Sequence, residues 1–116
     1  MNFLPLQKSE DLEAAIAASM DQPVLLFKHS ATCSISKRAE HRMMTLTEEG
    51  DPAIYQLIVQ RARNLSNAIA EQFQIRHESP QIILLHEGEA VLHGSHEAVN
   101  VENVRHAIQA IQAETE

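Results

Sequence analysis

A single cysteine, Cys33, in a chain of 116 residues excludes any intramolecular disulfide. The fold must therefore stand on packing alone, for which one domain of this length, residues 1–116, is large enough. Long apolar runs are also missing. None approaches the eighteen or so residues of a membrane span. The opening Met1-Asn2-Phe3-Leu4-Pro5-Leu6-Gln7-Lys8 has no basic segment leading into an apolar one, so it does not read as a signal peptide. The expected location is cytoplasmic, where reducing conditions keep a lone thiol available. Positive charge is scarce as well: 9 Lys and Arg face 16 Asp and Glu, for a formal net charge of −7. That balance argues against nucleic acid and membrane surfaces as main partners, since both call for a basic patch.

What is present centres on Phe27-Lys28-His29-Ser30-Ala31-Thr32-Cys33-Ser34-Ile35-Ser36. Pro23 to Phe27 reads as a buried strand, and Cys33 to about Leu46 has helical character. A cysteine at this junction is expected on the first turn of the helix, where unpaired N–H groups and the positive end of the helix dipole favour its thiolate. Ser36 stands where a dithiol oxidoreductase would carry its second cysteine. Lys28, Lys37, Arg38 and Arg42 fall around Cys33, with Glu40 the one acid between Lys28 and Arg42. They make either an ordinary solvated face or a locally positive site that stabilises a thiolate and attracts carboxylate-bearing thiols.

Along the chain, Ser9-Glu10-Asp11 looks like a capped helix start, with Leu12, Ala15, Ile16 and Ser19 on one face. Val24 to Phe27 is the first strand, and Ala53-Ile54-Tyr55-Gln56-Leu57-Ile58-Val59 the second. A helix from Asn64 to Phe73 follows, with Leu65, Ile69 and Phe73 at helical spacing. Gln81 to Leu85 and Ala90 to His93 flank Glu87-Gly88-Glu89 as a hairpin. Asn100 caps a last helix that carries Val101, Val104, Ile108 and Ile111 on one side.

The resulting order, α-β-α-β-α-β-β-α, predicts a single α/β domain with a four-stranded mixed sheet flanked by helices. This is the thioredoxin-like arrangement with an added N-terminal helix. That fold keeps its nucleophile where the first strand hands over to a helix, the place of Cys33. It keeps a cis-proline opposite, at the place of Ser79-Pro80, where backbone groups can pair with an extended substrate.

The chain also resembles the monothiol bacilliredoxins, the YtxJ-like family of the bacillithiol system. The resemblance is carried by Lys28-His29-Ser30, Thr32-Cys33, Ile35-Ser36, Tyr55 with Val59-Gln60, Arg63, Leu65-Ser66-Asn67 and Ile69-Ala70-Glu71. It continues through His77-Glu78-Ser79-Pro80-Gln81-Ile82, His93 and Ser95-His96, over nearly the whole chain. It implies exchange of thiols with protein–bacillithiol mixed disulfides. Two positions depart from the family: Ser34 replaces the proline usual after the cysteine, and Leu92 replaces a tryptophan.

The resemblance implies that Cys33 is the catalytic nucleophile, taking bacillithiol or a similar low-molecular-weight thiol from S-thiolated client proteins. With no second cysteine, release requires an external thiol or a partner reductase. Bacillithiol then serves as a co-substrate, and no tightly bound cofactor is expected. Thr32, Ser36, Lys28 and His29 form the expected thiolate environment, with Ser36 able to hydrogen-bond the sulfur, Thr32 either orienting the thiolate or standing as an exposed turn residue, and His29 able either to bond the sulfur or to hold the turn. Ser79, Pro80 and Glu78 form the expected substrate platform, and Arg38, Arg42 and Arg76 are candidates for the carboxylates of the small thiol. Seven histidines, His77, His86, His93 and His96 among them, raise the question of zinc, but no second cysteine or clear carboxylate completes a ligand set. No metal site is predicted, and His93 and His96 are read as ties for the loop before the last helix. Two rival functions remain: a glutathione-linked monothiol glutaredoxin, and a non-catalytic thioredoxin-like module that binds peptides at Ser79-Pro80.

Overall fold

Val24-Leu25-Leu26-Phe27-Lys28-His29 is buried along its whole length, so this strand lies at the centre of the sheet. The computed structural model describes residues 3–115. The elements are β1 (Phe3–Pro5), α1 (Ser9–Ala18), β2 (Val24–His29), α2 (Ser34–Met43), β3 (Ala53–Ile58), α3 (Arg63–Phe73), β4 (Gln81–His86), β5 (Glu89–Ser95) and α4 (Val101–Thr115), with a 3-10 turn at His96–Ala98. The sheet order is β1-β3-β2-β4-β5. β1, β2 and β3 run parallel, while β4 runs antiparallel to both β2 and β5.

The sheet thus has five strands where four were expected. β1 went unseen because it is three residues long and ends in Pro5, which gives no periodicity and reads as a breaker. Its place at the edge, paired to β3, suits a strand containing proline. The first helix also starts differently. Lys8 is the N-cap and Ser9 the first helical residue, while the Asp11 carboxylate accepts the backbone N–H groups of Gln7 and Lys8 at 2.8 and 3.2 Å. α2 ends at Met43 rather than near Leu46.

Side chains alternate along β2 and divide the core in two. Val24 and Leu26 pack with Leu12 and Ala15 of α1 and with Leu65 and Ile69 of α3. Leu25 and Phe27 pack on the other face with Ala39 and Met43 of α2 and with Val104 and Ile108 of α4. Burial of this kind supplies most of the stability, and truncating a filled position such as Phe27 to alanine costs about 3–5 kcal/mol. The β4–β5 hairpin turns through Glu87 and Gly88, both at positive φ (52° and 80°), the pattern of a two-residue turn that matches strand twist. Asn100 caps α4, its side-chain oxygen accepting the Asn103 N–H at 2.8 Å.

Among the described residues no helix is long and apolar enough to cross a membrane.

Candidate active site

β2 ends at His29, and a three-residue turn leads to Cys33. Cys33 has an extended backbone (φ −103°, ψ 124°), and its carbonyl accepts the first helical N–H, from Lys37, at 3.0 Å. It is therefore the N-cap of α2, one position before the first turn on which it was expected. The residue is half-buried and free. The first N–H groups of a helix, which lack intrahelical acceptors, follow it directly.

Two side chains hold the turn. From below, the fully buried Ser36 hydroxyl accepts the Ser30 N–H at 2.9 Å and shares a 2.8 Å hydrogen bond with His29 Nδ1. From outside, Gln60 accepts the Ala31 N–H at 3.1 Å and donates to the hydroxyls of Ser30 (2.9 Å) and Thr32 (3.3 Å). This corrects one expectation, since Ser36 is spent on the strand-to-helix turn rather than on the sulfur. Of the two readings of Thr32, the structure has the exposed turn residue, its hydroxyl engaged by Gln60.

His29 takes the structural one of its two expected roles. Its Nε2 lies 3.6 Å from Glu40 Oε2, and Glu40 Oε2 in turn accepts the Gln56 amide. Burial pushes the His29 pKa below the ordinary value, opposed by the Glu40 carboxylate and the hydrogen bond at Ser36 and assisted by Lys37. The ring is therefore neutral at pH 7, and it buttresses the turn through Ser36.

Lys28 is a second correction. It points to the opposite face of the sheet from α2, because neighbouring residues of a strand alternate. Its ammonium is buried, donates to the Ser66 carbonyl at 2.9 Å, and lies 3.2 Å from His77 Nδ1. Burial lowers its pKa to about 8. His77 is lowered too, by burial first and then by the charges of Lys28 and Arg63, with Glu78 opposing. Lys28 thus braces the segment before Pro80 instead of facing the thiol.

The Ser79–Pro80 peptide bond is cis. β2 pairs with β4 in the register Lys28↔Gln81, which brings this segment to the end of the sheet where β2 leads into Cys33. The segment is tied on both sides. Ser66 Oγ reaches His77 Nδ1 at 3.0 Å, the Gln81 amide donates to the Arg76 carbonyl at 2.9 Å, and Ser95 donates to Glu78 at 2.7 Å. The His96 N–H donates to the Pro80 carbonyl at 3.0 Å. Glu78, expected on the substrate platform, is thus engaged with Ser95, and Ser79 is left half-buried beside it. His96 does tie the last loop, as expected, whereas His93 is exposed on β5.

Arg38 and Arg42 come together on one face of α2, where they line a cavity of about 630 Å³ with Ile35 and Ser95–Ala98. Arg76 is exposed and lies outside it. Gln60, Ser66 and Ser95 were missed as site-building residues. Each lies well beyond one helical turn from its partners, 11 residues at the nearest and 38 at the farthest, so no local spacing pattern marks its role. The strand register would have found Gln60, because the Val59 N–H donates to the His29 carbonyl at 2.9 Å and sets Gln60 beside the turn. Among the described residues, no group of three or more His, Cys, Asp and Glu is placed to hold a metal ion.

The family model for the monothiol bacilliredoxin BrxC matches residues 4–104. The chain belongs to the monothiol bacilliredoxin family. Among solved structures, this bacilliredoxin is similar to a protein assigned as an oxidoreductase with a thioredoxin fold. The two share 34% identity at a TM-score of 0.83, over 91% of this chain and 93% of that one. Thioredoxin from Fasciola hepatica (16% identity, TM-score 0.72, 93% and 98% covered) shares the fold. So does spinach chloroplast thioredoxin f (19% identity, TM-score 0.72, 96% and 94% covered). Family and fold together make the bacilliredoxin a thiol oxidoreductase in the general sense.

Proposed function

We propose that Cys33 removes bacillithiol from protein mixed disulfides by one-thiol exchange. The Cys33 thiolate attacks the bacillithiol sulfur, a new Cys33–bacillithiol disulfide forms, and the client leaves as its thiolate. One disulfide breaks as another forms, so no external oxidant is consumed. A second thiolate, from free bacillithiol or a partner reductase, then attacks the mixed disulfide and frees Cys33. The observation that carries this reading is a half-buried lone thiol at the N-cap of α2, at the sheet end that also holds the cis Ser79–Pro80 segment.

Chemistry limits the alternatives. Ser36 is no nucleophile toward disulfides, so internal release of Cys33 has no candidate group. The backbone of Ser79 remains the proposed pairing site for an extended client, by strand-like hydrogen bonding. The decisive experiment incubates the protein with a client carrying bacillithiol and, separately, with one carrying glutathione, and then reads the intact mass. Gain of one bacillithiol on Cys33, with release of the client, is the expected result. Transfer from the glutathione client alone would assign the chain to glutathione-linked exchange. An unmodified Cys33 in both arms would leave a binding module.

A further inference from the structure

The cavity beside α2 adds something the lone thiol does not. Its walls are Ile35, Arg38 and Arg42 on one side and Ser95, His96, Glu97 and Ala98 on the other. Ile35, Arg38 and Arg42 follow one another at spacings of three and four, so they form one stripe of α2, beginning two residues after Cys33. We infer that this cavity is the subsite for the small-thiol half of the mixed disulfide, with Arg38, Arg42 and His96 receiving a carboxylate-bearing arm. The inference rests on the thiol-exchange reading above.

Four observations carry it. First, the cavity is built onto the reaction centre from both sides. Cys33 is the N-cap of α2, whose Ile35 begins one wall, and the His96 N–H bonded to the Pro80 carbonyl joins the other wall to the cis-proline segment; Cys33 and Pro80 themselves stand outside the lining. Second, His96 adopts the left-handed conformation (φ 56°), which is unfavourable for a residue with a side chain and is maintained here by the surrounding contacts. Gly94 permits the fold-back, since a Cβ there would come within 2.9 Å of Ala98 Cβ.

Third, the charge is out of character with the chain. A protein of net charge −7 places two arginines around one opening, with Glu97 as the single acid in its lining, while His96 turns Nδ1 toward Glu78 Oε1 at 3.9 Å and leaves Nε2 for a ligand. Arg42 is fixed by its Nε donating to the Val99 carbonyl at 2.9 Å, a bond that leaves its terminal nitrogens to present a planar fork. Arg38 forms no ion pair among the described residues. Fourth, about 630 Å³ falls within the range of small-molecule sites of about 300–1,000 Å³. An extended polypeptide is better served by the backbone at Ser79.

Such a subsite decides which sulfur is attacked. With the small thiol seated along α2, its sulfur meets Cys33 and the client thiolate is the leaving group. The reverse orientation would strand the client on Cys33.

The test compares two disulfides on the same single-cysteine client, one with bacillithiol and one with cysteamine, which has no carboxylate. Arg38 is exposed, so Arg38→Gln should leave the fold intact. The ratio of kcat/KM for bacillithiol over cysteamine should fall about tenfold in Arg38→Gln, mainly through KM, as expected for loss of a hydrogen bond to a charged group. His96→Asn, which tolerates the left-handed backbone, should lower the same ratio. An unchanged ratio in both variants would overturn the subsite while leaving thiol exchange in place. Failure of the wild-type protein to take a thiol from either client would instead defeat the exchange reading. Intact mass supplies the orientation: bacillithiol on Cys33 supports the subsite, and the client on Cys33 overturns it.

Discussion

Lys28 Nζ lies 3.2 Å from His77 Nδ1, on the face of the sheet turned away from α2. Lys28 is 1% exposed, and its ammonium is held by the Ser66 carbonyl and the imidazole, with no carboxylate among its hydrogen-bond partners in the described residues. This arrangement requires a neutral His77, which burial and the Lys28 charge both favour.

A pH dependence follows from that pair. The Lys28 pKa is about 8 in the folded protein, against an ordinary 10.5. Below pH 8 the folded and unfolded chains both carry the proton, and the cost of burying it is felt in full. Between about 8 and 10.5 the unfolded chain binds more protons, so stability rises with pH across this window. The contribution is at most roughly 3 kcal/mol. Lys28→Met should flatten this rise, as read from urea melts of both proteins between pH 7 and pH 10.5. Parallel pH curves for the two would contradict the assignment.

Cys33→Ser should abolish transfer of the small thiol from a modified client. Mass spectrometry of the client after incubation reads this directly, and residual transfer at the wild-type rate would refute the mechanism.

Ser36→Ala removes the acceptor for the Ser30 N–H and the partner of His29 Nδ1 in a buried place. Unfolding free energy should drop by about 1–3 kcal/mol. Because the turn positions Cys33, the exchange rate should fall as well. Denaturant melts and exchange kinetics on the same preparation check both outcomes.

Gln60→Ala separates turn geometry from stability. Gln60 is exposed, so the loss should stay within roughly 1 kcal/mol. The Ser30–Thr32 turn, released from its amide clamp, should nonetheless slow exchange severalfold. A rate equal to wild type would mean that Ser36 alone holds the turn.

Ser34 occupies the first position of α2, where proline suits the backbone. Ser34→Pro should stabilise the protein by about 0.4–1 kcal/mol and shift the reduction potential of the Cys33 mixed disulfide. Thermal melts and equilibration against a thiol redox buffer measure the two effects.

The helices and the central strands were legible because their apolar residues repeat at helical spacing or run continuously. The β4–β5 turn was legible because Glu87-Gly88 meets a backbone requirement that few residues satisfy. β1 was not, since three residues ending in Pro5 carry no pattern, and its pairing with β3 joins positions far apart in the chain. Around the site, Cys33 and Pro80 could be placed by element order alone. The roles of Lys28, Ser36 and Thr32 could not, because each depends on which face its side chain takes and on a partner beyond helical reach. A one-residue alternation sends Lys28 to α3 and His29 to α2, and residue type alone does not reveal it.

Ser36 occupies the position of a resolving thiol, yet it is sealed in the interior as the peg that pins strand to helix. A cysteine installed there would loosen the turn that presents Cys33 before it gained any access to solvent. Under the proposed exchange, the chain would work only in pairs with another molecule, and its turnover would follow how much reduced thiol the surroundings supply.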